Sequence, residues 1–352
     1  MRVVLGVGLA AALAASLLAA FGARPASAEG PAIGTQPKHI TGPARTAINR
    51  GLDFLAGQQR EDGAWRSAGA HGEYPCCMTG LAGLALVASG STPTRGPYST
   101  QVRRTVKYLL EQSQPNGLIT SPAEEGRSMY GHGFATLFLS QVYGMEEDEE
   151  KQAKIRDALK RSIALTQRAQ SRLGGWLYTP DSGGDEGSVT VTQVQALRGC
   201  RNAGLAVPKS VVDAAISYIE KSQNPDGGIA YRIGAGPSRA PITAAACAVL
   251  YNAGRYDSPA AEKCFGYAWR MCRPNASGDW HYFYTQLYMS QACWQKGDRF
   301  WDEYFPIMRD RLISLQAGNG SWRGDEVGTT YGTAIALLIL QLPYSNLPIL
   351  SR

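Results

Sequence analysis

Beyond residue 23 the chain has no uninterrupted apolar run close to the ~18 residues that a membrane-spanning helix needs. That predicts a soluble body with no transmembrane segment after the leader. Charge is also sparse, at 18% of residues. Basic residues are scattered, with Arg103-Arg104 and Lys160-Arg161 on expected outer helices. No basic stripe interleaved with aromatics occurs, which excludes a nucleic-acid partner. The seven cysteines are odd in number and match no small disulfide scaffold. Cys200, Cys247 and Cys293 fall in apolar runs, where a cysteine behaves as a small buried hydrophobe. At most one or two bridges are expected. The vicinal pair Cys76-Cys77 has no partner spacing for a metal, and neither metal nor cofactor is read from the sequence.

What is present begins with a leader. Met1-Arg2 is a short basic start, Val3 to Ala23 is apolar, and Pro25-Ala26-Ser27-Ala28 offers a small-residue cleavage site. That order is a secretory signal peptide over residues 1–28, against the alternative of a retained single-helix anchor. The expected product is exported, to the periplasm or beyond. Cleavage leaves 33 basic against 29 acidic residues, a mild +4. The acidic run Glu146 to Glu150 reads as a solvated loop or helix start.

The main feature is an internal repeat. Six segments share an amphipathic helix, a Gln, and a Gly-containing turn that often ends in Trp or another large apolar residue. They include Gln58-Gln59 with Asp62-Gly63-Ala64-Trp65, Gln112-Ser113-Gln114-Pro115-Asn116-Gly117, and Gln170 with Gly174-Gly175-Trp176. Gln223-Asn224-Pro225-Asp226-Gly227-Gly228 and Gln316 with Gly318-Asn319-Gly320-Ser321-Trp322 follow the same phrase. The fifth is degenerate but keeps Gly278-Asp279-Trp280. Glycine permits the left-handed turn that ends a helix, and the Gln and Trp are expected to tie neighbouring repeats together.

A second helix follows each phrase and is apolar nearly all round, so it is buried on every side. The six begin in register at Thr79, His132, Thr192, Thr243, Thr285 and Thr333. Six amphipathic outer helices around six apolar inner ones predict a closed all-α ring, an (α/α)6 toroid with a central cavity. Its expected span is 44–343, after a 29–43 linker and before a 344–352 tail. A closed ring needs no capping repeats, and a monomer is expected.

The phrase before a Thr-Ala-type apolar helix resembles the repeats of the terpenoid cyclase and protein prenyltransferase superfamily, also called prenyltransferase/squalene oxidase repeats. The best local match is Gly174-Gly175-Trp176-Leu177-Tyr178-Thr179-Pro180 with Glu186-Gly187-Ser188-Val189-Thr190-Val191-Thr192-Gln193. It looks like bacterial exported members of the group. The resemblance implies the toroid; activity depends on grafted sites. Triterpene cyclases of this fold use an Asp-x-Asp-Asp-Thr cluster opening an inner helix. The matching places carry Ser188, Thr190 and Val191 in the third repeat and Arg239, Pro241 and Ile242 in the fourth. The prenyltransferase zinc places fall at His281, Phe283 and Gly332, without the Cys and His that zinc requires. Cys76-Cys77-Met78-Thr79 likewise lacks the Gln of a thioester motif.

Candidate site residues follow from the register. His132 breaks the threonine series and, with Tyr130 before it, is a candidate acid or base. The threonines, Thr190 and Thr192 among them, are read first as helix N-caps and second as cavity contacts. Carboxylates precede five of the six starts: Glu73, Glu124-Glu125, Asp185-Glu186, Asp279 and Asp325-Glu326. They suit helix dipoles or an acidic rim. Asp185 and Glu186 are the catalytic candidates among them. His281, Tyr282, Tyr284 and Tyr331 complete the expected ligand contacts, with aromatic faces for an isoprenoid or a sugar. The leading expectation is an exported toroid holding a small apolar or amphipathic ligand. The alternatives are an exported enzyme acting on carbohydrate or peptide through rim carboxylates and His132, and a non-catalytic protein-interaction ring.

Overall fold

The computed structural model describes residues 37–276 and 281–350. The leader, most of the 29–43 linker and the phrase Gly278-Asp279-Trp280, with its rim candidate Asp279, lie outside those residues. Twelve α-helices alternate between two layers among the described residues. The outer ones are α1 (Gly42–Gly57), α3 (Ser99–Glu111), α5 (Glu149–Arg168), α7 (Lys209–Lys221), α9 (Pro259–Met271) and α11 (Asp298–Leu315). The inner ones are α2 (Pro75–Ala88), α4 (Ser128–Val142), α6 (Gly187–Asn202), α8 (Ala240–Asn252), α10 (Tyr282–Lys296) and α12 (Thr329–Gln341).

The layers follow from the apolar pattern. In α3 only the stripe Val102, Thr105, Val106, Tyr108 and Leu109 is buried, a helical period facing inward. In α2 every residue is buried. The inner helices pack in the cyclic order α2, α4, α6, α8, α10, α12 and back to α2. The all-α (α/α)6 toroid is therefore the observed fold.

The shared phrase is the joint between repeats. Gln59 Nε2 donates to its own turn at Gly63 O and to Gln101 O of the next outer helix. Gln170 repeats this with Gly174 and Val211, and Gln223 with Gly227 and Ala260. Gln316 donates to Gly320 O and to Ala47 O, which closes the last repeat onto the first. The turn glycines 63, 117, 174, 227 and 320 have φ of +90° to +101°. A Cβ at any of them would strike a carbonyl oxygen of the next outer helix, so glycine is needed for approach as well as conformation. Trp65, Trp176 and Trp322 are fully buried, and each indole Nε1–H donates at 2.7 Å to a carbonyl ten residues earlier.

The register threonines do not act as N-caps. Thr79, Thr190, Thr243 and Thr333 lie within the first turns of their helices, and each Oγ1 accepts the backbone N–H of the large residue ending the preceding turn. In the third repeat that place belongs to Thr190 and not to Thr192. Thr190 stands fourteen residues after Trp176, as Thr79 does after Trp65. The fifth residue of α10, the position that Thr79, His132 and Thr333 hold in α2, α4 and α12, is Gln286, whose Nε2 donates back to the carbonyls of Cys272 and Arg273 at 3.5 and 3.4 Å.

The ring is not an open tube. Gln195 Nε2 of α6 donates to Gln291 Oε1 of α10 at 2.8 Å, across the intervening α8, and bridges the interior. Beyond that bridge, Leu347, Ile349 and Leu350 are buried, Asn346 Nδ2 donates to Ala88 O, and Ile349 N donates to Gln141 Oε1. The C-terminal segment thus stoppers the end where α2 and α4 finish. The seven cysteines all lie among the described residues and none is joined in a disulfide. Each is buried as a small apolar group.

Candidate functional site

The inner helices begin at the opposite end from the stopper, where partly exposed residues of five of them outline a recess, the cup. The residues two positions before the corrected register are Cys77, Tyr130, Ser188, Pro241, Tyr284 and Tyr331, one from each inner helix. Cys77 is buried and the other five are partly exposed amid buried neighbours. Tyr130 and Tyr284 are surrounded by protein yet keep accessible surface, which places that surface in an internal concavity. α4 faces α10 across the ring, and α6 faces α12. The Tyr284 phenol is pushed well above its usual range first by burial, then by Tyr288, Tyr130, Glu186 and Tyr331. Groups of α4, α6 and α12 are thus near enough to act electrostatically on Tyr284 of α10.

One wall carries a polar network. Tyr130 Oη and Ser188 Oγ are 2.7 Å apart, and Tyr130 Oη donates to Glu186 Oε1 at 3.4 Å. Glu186 is fully buried and caps its own helix, accepting from Ser188 N at 2.8 Å and Val189 N at 2.6 Å. Burial raises its carboxyl above the usual range despite these donors. At the mouth Tyr178 and Tyr231 join their hydroxyls. Arg127 lies 5.1 Å over the Tyr178 ring and Arg239 4.8 Å over the Tyr231 ring. The Tyr284 hydroxyl is buried and has no hydrogen-bond partner among the described residues.

His132 is not in this cup. It is fully buried between α4 and α5, where Nδ1 accepts from Ile119 N at 3.2 Å and Nε2 lies 3.0 Å from Thr166 Oγ1. Thr166 already donates to Ser162 O, so it accepts here and the imidazole proton sits on Nε2. Burial pulls the His132 pKa down to about 4. It is a neutral structural stand-in for the register threonine, and its two nitrogens are both occupied.

Among the described residues, the rim carboxylates take different partners instead of gathering at one site. Glu73 pairs with Arg66 at 3.1 Å, and Glu326 lies 3.4 Å from His71. Asp185 accepts from Ser171 Oγ at 2.8 Å, outside the cup. Asp325 Oδ2 accepts from Phe283 N of α10, and Glu124 Oε2 accepts from Cys76 N of α2 at 2.6 Å. The rule behind these contacts was not visible in the sequence: α2, α4, α6 and α10 each take a cap from the repeat that follows. α4 and α6 are capped in the same way by the carbonyls of Tyr178 and Tyr231. A carboxylate there serves the helix N-terminus. Glu124 is the unusual member, because burial raises its pKa to about 7 and its Oε1 has no partner among the described residues. Of the remaining candidates, His281 is exposed at the start of α10, and Tyr282 Oη donates to Pro274 O at 2.9 Å. Thr190 and Thr192 are buried and donate to Glu186 O and Ser188 O of their own helix. The cup thus retains Tyr130, Glu186, Tyr284 and Tyr331 from the expected set and adds Ser188.

The ring is a terpenoid cyclase-like α/α toroid in fold. No family model matches the chain. Among curated proteins, drimenyl diphosphate synthase of Streptomyces showdoensis is 26% identical over 185 residues, 52% of this chain and 32% of that protein. The chain therefore spans about a third of that relative's length. Among solved structures, the type II terpene cyclase MstE from Scytonema is similar with a TM-score of 0.60 at 16% identity, covering 88% of this chain and 100% of that one. The α-1,6-mannanase GH76A of Salegentibacter sp. HEL1_6 reaches 0.61 at 7% identity, covering 85% of this chain and 98% of that one. At these identities the structural likeness is one of fold. The corrected register alters one comparison: four, two and one places before Thr190 stand Glu186, Ser188 and Val189, so a single carboxyl occupies the first place of the Asp-x-Asp-Asp-Thr pattern.

Proposed function

We propose that this chain is an exported terpenoid cyclase-like toroid that holds an apolar or amphipathic, isoprenoid-like ligand in the tyrosine-lined cup. The observation that carries the reading is the Tyr284 hydroxyl, buried beside the partly exposed Tyr284 ring without a partner among the described residues. A buried hydroxyl left unbonded costs free energy, and a ligand group restores the bond. The rings of Tyr130, Tyr284 and Tyr331 offer faces to an apolar body. Ser188 and the Glu186–Tyr130 pair offer hydrogen bonds to a polar end. Export rests on the leader pattern of residues 1–28. No described helix is long and apolar enough to cross a membrane.

The reading as an enzyme acting on carbohydrate or peptide has less support, because His132 is enclosed and Glu73, Glu124, Asp185, Asp325 and Glu326 are each held in caps, hydrogen bonds or ion pairs. Calorimetric titration with a series of isoprenoid alcohols tests the binding reading. Saturable binding is expected, weakened roughly fivefold by Tyr284→Phe, the worth of one ordinary hydrogen bond. Absence of saturable binding across the series overturns it.

A further inference from the structure

A second concavity lies at the other end of the ring, in the groove between α7 and the C-terminal ends of α6 and α8. We propose that this groove, of about 550 Å³, binds a single-tailed anionic amphiphile as a monomer. Its volume is that of a small-ligand site. Val194 and Leu197 of α6 with Val212 and Ile216 of α7 give it an apolar floor, closed at one side by Val207. Arg198, Arg201 and Arg255 stand around that floor, and none of them forms an ion pair with a described residue. The carboxylate in the lining, Asp213, is taken by Lys209 at 2.5 Å. On the wall, buried Asn252 accepts from Gln295 Nε2 through Oδ1 at 2.6 Å, while its Nδ2 has no partner among the described residues.

The helix dipole accounts for one of these cations. Arg201 lies in the last turn of α6, where a positive charge is favoured. It does not account for Arg255, which follows α8, a helix with no basic residue in its last turn. Three unpaired guanidinium groups over an apolar floor, beside a buried unbonded amide, match a head group with negative charge and acceptor oxygens on an apolar tail. A bilayer surface is the poorer fit, because the apolar residues lie at the bottom of a recess and the cations at its edge.

The test uses the full chain and dodecyl phosphate below its aggregation concentration, followed by calorimetry. Saturable one-to-one binding is expected. Arg198→Gln and Arg255→Gln are each expected to weaken it about tenfold, the worth of a charge-assisted contact. Both side chains reach solvent, and an unchanged circular dichroism melt verifies the fold. Tyr284→Phe leaves this affinity unchanged, which separates the groove from the cup. Dodecanol and inorganic phosphate each bind at least tenfold more weakly. The proposal is overturned if dodecyl phosphate does not saturate, if the arginine variants bind it as wild type does, or if inorganic phosphate binds equally well. Binding to anionic vesicles without binding of the monomer also overturns it, in favour of a membrane surface.

Discussion

Trp176→Ala is expected to destabilise the ring by about 4 kcal/mol, the usual cost of truncating a large, fully buried aromatic. Three losses combine. The indole is completely enclosed, its Nε1–H is bonded to Thr166 O at 2.7 Å, and the residue anchors the turn whose Gln170 and Gly174 seat α7. A cavity remains and a helix-end carbonyl loses its donor. The repeats supply their own control. Ile119 and Ile229 occupy the same place in the second and fourth repeats and donate their N–H groups to His132 and Thr243. Trp176→Ile is therefore expected to cost about half as much as the alanine change. Urea unfolding reads both through the midpoint at unchanged slope. A loss below about 1 kcal/mol for Trp176→Ala would contradict the role of the Trp as the joint.

The second large effect is electrostatic and depends on pH. Glu124 has a folded pKa of about 7 against an ordinary 4.5, chiefly through burial. Below pH 4.5 the carboxyl is protonated in folded and unfolded chain alike and contributes no pH dependence. As pH rises from 4.5 to 7 the unfolded state ionises and the folded state does not, so wild type loses about 3 kcal/mol. Glu124→Gln keeps an acceptor for Cys76 N and cannot ionise. Its stability relative to wild type is expected to grow by about 3 kcal/mol between pH 4.5 and 7, and to stay constant above that. His132 acts in the opposite sense. Its folded pKa of about 4 lies below the ordinary 6.5, so stability is lost as pH falls from 6.5 to 4. The two trends nearly cancel in wild type, and the difference between variant and wild-type profiles is what exposes Glu124. Parallel profiles would mean that the buried carboxyl titrates normally.

The ring was legible because its determinants are local and repeated. The Gln, the left-handed Gly and the Trp lie within a few residues of one another in each repeat, and the apolar inner helices announce their burial. The third register was misplaced because Thr190 and Thr192 both open α6, and local pattern does not choose between them. The fourteen residues from Trp65 to Thr79 and from Ile229 to Thr243 do choose. Ile229 stands in the place that Trp holds in the first, third and sixth repeats. The caps were not legible, because α2, α4, α6 and α10 are capped from the following repeat. The residues that meet, such as Glu124 with Cys76 and Asp325 with Phe283, are more than forty positions apart. His132 misled for a related reason. A histidine in a threonine register suggests chemistry, but its meaning depends on Thr166, a residue of the next helix that the local pattern does not include. The aromatics of the cup were visible as a cluster around Tyr284. Their convergence with Tyr130 and Tyr331 required the ring to close.

The cup is the central claim, and native mass spectrometry of the full-length gene product, purified without detergent from its own cell envelope or medium, tests it most directly. Wild type is predicted to carry a co-purifying amphipathic molecule at one per chain. Tyr284→Trp, which fills the cup, is predicted to lose it, while Arg255→Gln in the distant groove retains it. A bare wild-type protein, or the same bound mass in the Tyr284→Trp variant, would contradict the account.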